Sequence, residues 1–314
     1  MTFNSPVEKL NLFGLNAFIK RDDLISKQFS GNKARKLFDS YNFFLDNHKK
    51  INHVYCYGSM QSNLLYSLSE LTKTFDISFT YYVNRPVEFI EEHKNTGNLK
   101  AALDNKTNII SLNDKEYNDK KKFIQNNLGF KNNYFYITEG GASKEAAPGL
   151  EMLANEIIDF FNKENMLSLN VCLPSGTGST IAYLNQSINL LGYSKRIKLF
   201  STSIVVKNEI LSADISDFTK LETNEVQPTL LECSKRYRYG KLNIDLFNII
   251  QYLEKANSNI KFEYIYDPKM FISIKENLDL FKKEPFLYIH CGGLNTNRLM
   301  YNRYVDKYPE LSII

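Results

Sequence analysis

Short apolar runs alternate with helix-length segments along nearly the whole chain, and this alternation constrains the fold more than any other feature. Apolar runs at 53–57, 77–83, 107–111, 134–138, 170–173, 197–202, 262–266 and 286–290 read as strands. Segments at 63–75, 87–103, 115–127, 146–162, 180–191, 269–282 and 294–304 carry apolar residues at helical spacing. A strand, a helix and a second strand in that order close as a right-handed βαβ unit with the strands parallel. The expectation is an α/β fold of open, twisted, mostly parallel sheets. At 314 residues the chain is long enough for two domains, though no repeat or low-complexity linker marks a boundary. The stretch 206–243 breaks the pattern. It is polar, weakly periodic and contains the basic-aromatic run Lys235-Arg236-Tyr237-Arg238-Tyr239-Gly240, which fits an insertion, a lid or a set of loops.

Composition narrows the function classes. Hydrophobic content of 43% and charged content of 24% are those of a globular protein. The net charge of +4 is dispersed, and the longest lysine block, Lys120-Lys121-Lys122, reads as a solvated helix face rather than a nucleic-acid surface. The first residues lack the charged start and apolar stretch of a signal peptide. No window holds the ~18 uninterrupted apolar residues of a membrane helix. Cys56, Cys172, Cys233 and Cys291 lie far apart and form no CxxC pair. A disulfide or zinc framework is therefore not expected, and a reducing cytoplasm is. The expected partner is a small molecule, with neither nucleic acid nor membrane.

Five turns could carry chemistry. Gly31-Asn32-Lys33 sets a lysine at the mouth of a glycine turn, where its amine could form a Schiff base with a carbonyl compound; alone, these are ordinary turn and surface residues. Gly58-Ser59-Met60-Gln61-Ser62-Asn63 follows a strand, and Ser62 or Asn63 could simply cap the next helix. The same geometry gathers a hydroxyl, an amide and free N–H groups at a positive helix end, which suits a substrate carboxylate. Glu139-Gly140-Gly141-Ala142-Ser143 is either plain turn chemistry or a close approach of backbone to a ligand. Ser175-Gly176-Thr177-Gly178-Ser179-Thr180 is the strongest local signal: two glycines and four hydroxyls before a helix can surround a phosphate. It lacks the lysine of a Walker loop and GxGxxG spacing, so a cofactor phosphate fits better than a nucleotide. His290-Cys291-Gly292-Gly293 ends a strand; the pair cannot complete a zinc site, and both residues read as lining a cavity, with no metal expected.

In order and spacing these pieces resemble one family. Ile-Lys-Arg-Asp-Asp-Leu (19–24), Gly-Asn-Lys-Ala-Arg-Lys-Leu (31–37), Gly-Ser-Met-Gln-Ser-Asn (58–63) and Glu-Gly-Gly-Ala-Ser (139–143) match it. So do Ser-Gly-Thr-Gly-Ser-Thr (175–180), Ile-Tyr-Asp-Pro-Lys-Met (265–270) and Ile-His-Cys-Gly-Gly (289–293). The family is that of the aminocyclopropane-carboxylate deaminases and D-cysteine desulfhydrases, pyridoxal-phosphate enzymes of the tryptophan-synthase-β-like (type II) fold. The resemblance implies pyridoxal 5'-phosphate as cofactor, held between a small domain (36–142) and a large one (1–35 plus 143–314). It implies that Lys33 holds the cofactor as a Schiff base and later handles the α-proton. Asn32 would bond the cofactor's phenolic oxygen, and Asn63 would lie against its ring. Ser62 would contact the substrate near its carboxylate, and Tyr266 would face the substrate. Ser175, Gly176, Thr177, Gly178, Ser179 and Thr180 would hold the phosphate, supplemented by Lys36, with Cys291 also at the cofactor.

Asp267 stands where the deaminase branch has a carboxylate beside the pyridine nitrogen and the desulfhydrases tend to have a hydroxyl; Asp-Pro (267–268) could equally be a turn before a helix. Leu64, Thr138, Cys291 and the run 294–298 depart from the family pattern, more on the substrate side than on the cofactor side. The resemblance thus implies a deaminase or lyase of a small amino acid, first β-elimination from D-cysteine or a related D-amino acid. Ring opening of aminocyclopropane carboxylate is the alternative, and a binding protein without turnover is an alternative of another class. A homodimer is likewise implied by the resemblance alone.

Overall fold

A computed structural model describes residues 3–26, 31–128, 133–219 and 225–313. Its strands are β1 (Val7–Leu10), β2 (Ala17–Lys20), β3 (His53–Tyr57), β4 (Ser78–Val83), β5 (Asn108–Ser111) and β6 (Tyr134–Tyr136). They continue with β7 (Leu169–Ser175), β8 (Ile197–Ser203), β9 (Thr229–Leu230) and β10 (Phe286–Ile289). The α-helices of the first half are α1 (Asn32–Lys36), α2 (Phe38–Asn47), α3 (Asn63–Thr74), α4 (Val87–His93), α5 (Gly97–Asp104), α6 (Asp114–Asn118) and α7 (Lys120–Leu128). The second half adds α8 (Ala147–Lys163), α9 (Ser179–Leu190), α10 (Asn208–Thr219), α11 (Ile244–Ala256), α12 (Asp267–Glu276) and α13 (Asn297–Lys307).

The strands form two sheets. One has six strands in the order β1-β2-β10-β7-β8-β9; the other has four in the order β5-β4-β3-β6. Every pairing is parallel except β1 with β2. The expected α/β architecture with two mostly parallel sheets is therefore the observed one. Side chains alternate across the six-stranded sheet, as strand geometry requires. Phe286 and Tyr288 join the core beneath α11 and α12, whereas Leu287 and Ile289 face α8 and α9. The four-stranded sheet packs Val54, Cys56, Phe79 and Tyr81 against α3 on one face. Tyr82 on its other face packs against Ile124 and the partly buried Tyr55, Tyr57 and Tyr117.

The register of expectation and structure breaks in a few places. The run 262–266 is not a strand. Its N–H groups go to side chains instead: Glu263 donates to Asp267 Oδ2, and Ile265 and Tyr266 donate to Glu263 Oε2. A backbone so engaged has nothing to offer a neighbouring strand. The single helix expected over 87–103 is two, parted before Gly97, whose φ is +55° and where a Cβ would come 2.3 Å from Gln61 Oε1. The segment 115–127 likewise divides at Asp119. Part of 206–243 is ordered secondary structure, α10 and β9; residues 220–224 of it lie outside the described residues.

Candidate active site

Both sheets reverse their direction of growth once. In the smaller sheet the chain runs β3, β4, β5 to one side and then places β6 on the other side of β3. In the larger, β7, β8, β9 run one way, and β10 returns on the other side of β7. Crevices outside the carboxyl ends of such strands are where open α/β sheets bind ligands. The turns after β3 and β6 are 58–62 and 139–141; those after β7 and β10 are 175–178 and 290–293. The sequence-expected turns thus fall on the two switch points, and 31–36 joins them.

The lysine turn is built on a clash that only glycine avoids. Gly31 has φ +44° and ψ −118°, and a Cβ there would come 2.0 Å from the Cys291 carbonyl oxygen. That carbonyl accepts the Asn32 N–H at 3.0 Å, so the turn is fastened to the loop after β10. His290 steadies the same loop: its Nδ1 accepts the Gly292 N–H (3.1 Å) while Nε2 bonds the Lys261 carbonyl (2.7 Å). The His290 ring is fully buried and parallel to Phe262, so it does not line the cavity, contrary to expectation. From behind, Arg35 bonds both Asp22 and Glu156, and Lys20 also meets Glu156 at 2.5 Å. Arg35, Lys20 and Asp22 are all buried. The 19–24 motif therefore anchors α1 rather than facing the crevice.

Lys33 lies on that anchored turn. Desolvation pulls its ammonium down from the ordinary lysine value to about 8, only partly opposed by Cys291. Lys36, one turn on, is buried; its ammonium donates to the Gly140 carbonyl (3.0 Å) and the Ser179 hydroxyl (2.6 Å). Desolvation first, and the neighbouring Lys33 charge second, hold Lys36 well below the usual lysine value. A buried cation with no carboxylate among the described residues bonded to it, at a helix N-terminus lined with hydroxyls, is a setting that favours an anion. Gly178, at φ +83°, turns the chain into α9. Thr180 Oγ1 accepts from Asn32 Nδ2 (3.1 Å), which brings the lysine turn against the 175–180 loop. Thr177 faces Ser179 and packs where Gly140 leaves room. Ser175 is the exception: its hydroxyl points into the sheet and accepts from Ser201 at 2.7 Å.

From the smaller sheet, Ser62 caps α3 by accepting the Leu64 N–H. Asn63 is aimed by a residue that pattern reading missed, Asn98, which is fully buried and donates to Asn63 Oδ1 and to the Gln61 carbonyl, both at 3.0 Å. The Asn63 amide nitrogen then reaches Gly293, where a Cβ would approach it to 2.6 Å. The two sheets meet at this point. Opposite, Tyr266 covers Gly176, with its ring 3.2 Å from where a Cβ would stand. Its hydroxyl lies 3.4 Å from that of Tyr239, from the basic-aromatic run. Burial raises both phenols above the ordinary tyrosine range. Asp267 starts α12, buried, with Oδ1 accepting from Tyr288 (2.6 Å) and Oδ2 from the Glu263 N–H (2.8 Å). The Cys291 thiol is partly buried at the lysine turn, and burial raises its pKa.

No family model matches the chain. A protein of Thermotoga maritima, provisionally named 1-aminocyclopropane-1-carboxylate deaminase, is 27% identical over 299 residues, 90% of each chain. One of Pyrococcus furiosus, with the same provisional name, is 24% identical over 310 residues, 93% of this chain and 90% of its own. Among solved structures, one described as an aminocyclopropane-carboxylate deaminase homologue superposes with a TM-score of 0.76 at 21% identity, over 96% of this chain and 94% of its own. Along nearly its whole length the chain is thus similar to proteins named as aminocyclopropane-carboxylate deaminases. A structure titled as a pyridoxal 5'-phosphate-dependent aspartate racemase shares the fold at a TM-score of 0.62 and 13% identity, over 92% of this chain and 90% of its own. The residues present here suit such a cofactor. An amine held near 8 is available for an aldehyde, and Lys36 stands with the hydroxyls of 177–180 where an anion could be held. One carboxyl oxygen, Glu263 Oε1, is buried and makes no well-formed hydrogen bond with the described residues.

Proposed function

We propose that this protein is a pyridoxal-phosphate-dependent deaminase or lyase of a small amino acid. Lys33 carries the proposal: a partly neutral amine, fixed by the Gly31–Cys291 contact, beside a cationic, hydroxyl-lined helix N-terminus. The cofactor, when bound, supplies an electron sink for charge that develops at the substrate α-carbon. Thr177, Ser179 and Thr180 with the first N–H groups of α9 would hold its phosphate, and Lys36 would balance the charge there. Lys33 would bond the aldehyde and then move the α-proton. Ser62, at the positive end of α3, would orient the substrate carboxylate. Tyr266 and Tyr239 would close the crevice over Gly176 and keep water from the reacting carbon.

For the substrate we take D-cysteine or a related D-amino acid first. D-cysteine and water would yield pyruvate, ammonia and hydrogen sulfide, with the β C–S bond broken and the α-proton handled by Lys33. Aminocyclopropane carboxylate is the second reading, favoured by the provisional names of the two relatives. The two relatives' names and the fold support deamination in general. Protein loaded with pyridoxal phosphate is incubated with D-cysteine, L-cysteine or aminocyclopropane carboxylate, and 2-oxoacid, ammonia and sulfide are measured. Sulfide from D-cysteine alone supports the first reading; 2-oxobutyrate and ammonia from the cyclopropane substrate support the second. Loaded protein that releases nothing from any of the three refutes both.

A further inference from the structure

Glu263 takes no part in the chemistry proposed above, and its surroundings are unusual. It is only 2% exposed. Oε2 accepts the N–H groups of Ile265 (2.8 Å) and Tyr266 (2.5 Å), holding the chain in the turn that presents Tyr266. Oε1 is buried and makes no well-formed hydrogen bond with the described residues. Leaving a buried polar oxygen unsatisfied is costly, so a protein that keeps one commonly has a use for it. The Thr296 hydroxyl donates to the Gly293 carbonyl at 3.3 Å and stands close enough to the Glu263 carboxyl to favour its charged form slightly, the least of the influences on it. Asp267 is different, because each of its oxygens already accepts a bond, from the Tyr288 hydroxyl and from the Glu263 N–H.

Position strengthens the contrast. A Cβ on Gly293 would lie 3.1 Å from Glu263 Cγ and 2.6 Å from Asn63 Nδ2. The Glu263 stem thus stands beside Asn63 at the seam of the two sheets, where the wall after β10 has no side chain. Resting on the pyridoxal-phosphate reading above, we propose that Glu263, through Oε1, meets the ring nitrogen of the bound cofactor, and that Asp267 instead fixes Glu263 through its backbone N–H. A pyridine nitrogen has one lone pair and takes one proton. A carboxyl oxygen can donate that proton or accept it back, so one proton shared across the contact satisfies both atoms. Burial, and after it the Asp267 charge, raise the Glu263 pKa to about 8, so its carboxyl has a proton to share at neutral pH.

The experiment loads the unsubstituted protein, Glu263→Gln and Asp267→Asn with pyridoxal phosphate labelled with 15N in the ring. The ring-nitrogen chemical shift and the visible absorption are recorded against pH. Glutamine keeps a carbonyl oxygen for the Ile265 and Tyr266 N–H groups, so the turn is retained. Expected is a protonated-ring shift in the unsubstituted protein, a move to the neutral-pyridine position in Glu263→Gln, and little change in Asp267→Asn. An unchanged nitrogen in Glu263→Gln, or a move confined to Asp267→Asn, overturns the proposal while the visible band leaves the cofactor reading standing. If Glu263→Gln does not fold, Glu263→Asp, which withdraws the carboxyl by one methylene, is measured instead; an unmoved nitrogen there overturns the proposal equally. Unsubstituted protein that acquires no visible band overturns the functional reading, and this proposal with it.

Discussion

Replacing Gly31 with alanine probes the contact that aims Lys33. The added Cβ would stand 2.0 Å from the Cys291 carbonyl oxygen, whereas ordinary contact begins at 3.4 Å, so the two loops must part by about 1.4 Å. Parting them breaks the Asn32 N–H bond to the same carbonyl, worth about 1 kcal/mol. Holding alanine at φ +44° adds about 1–2 kcal/mol. Together the loss is about 3 kcal/mol, roughly a hundredfold in the folding equilibrium. Gly14→Ala is the control, because Gly14 also has positive φ (+77°) but nothing within 4 Å of its Cβ position. It is expected to lose only about 1 kcal/mol. Urea unfolding of both variants reads the difference, and the visible absorption of added pyridoxal phosphate reads the position of Lys33. Equal stabilities for the two, with an unaltered visible band in Gly31→Ala, would refute the argument.

Lys33 at about 8 is roughly one-quarter neutral at pH 7.5, against about one in a thousand for an unperturbed lysine. Because only the neutral amine adds to an aldehyde, uptake of pyridoxal phosphate is expected to accelerate up to about pH 8 and then level off; acceleration continuing toward pH 10 would contradict the shift. Lys36→Met removes the cation bonded to Gly140 and Ser179 and is expected to weaken pyridoxal phosphate binding about 10- to 100-fold by titration. Binding of pyridoxal, which has no phosphate, should barely change in the same variant. Arg35→Met leaves Asp22 without its guanidinium and Glu156 with Lys20 as its remaining cation among the described residues. Urea midpoints should register a loss of about 3–5 kcal/mol, typical of a broken buried ion pair.

Much of the fold was legible because parallel strands buried on both faces read as continuous apolar runs, as in β7 and β10. The four strand-end turns were legible for a related reason: glycine and small polar residues gather where backbone must curl or pass close to a ligand. Elements decided by distant contacts were harder. β1 and β2 have four residues each, too short for a clear period. α2 is rich in Asn, Asp and aromatic residues of modest helix propensity, and its place comes from packing Phe44 into the core. α11 does show helical spacing at Leu246, Phe247, Ile250 and Leu253, a signal obscured by the aperiodic stretch before it.

The site divides in the same way. Lys33 and the 177–180 loop stood out locally as candidates, because turn chemistry is a local property, whereas Lys36 was marked only by the family resemblance. Asn98, Tyr239 and Glu263 did not stand out, since each acts through partners far away in sequence: Asn63, Tyr266 and the Gly293 turn respectively. The apolar run 262–266 misled because a strand pattern carries no sign that Glu263 and Asp267 would take its N–H groups.

Borohydride reduction followed by peptide mass spectrometry tests the central claim most directly. Protein loaded with pyridoxal phosphate is reduced, digested and searched for the pyridoxyl group. That group is expected on the peptide containing Lys33, with the buried neighbour Lys36 unmodified. Label on another lysine, or none despite a visible band before reduction, would contradict the claim.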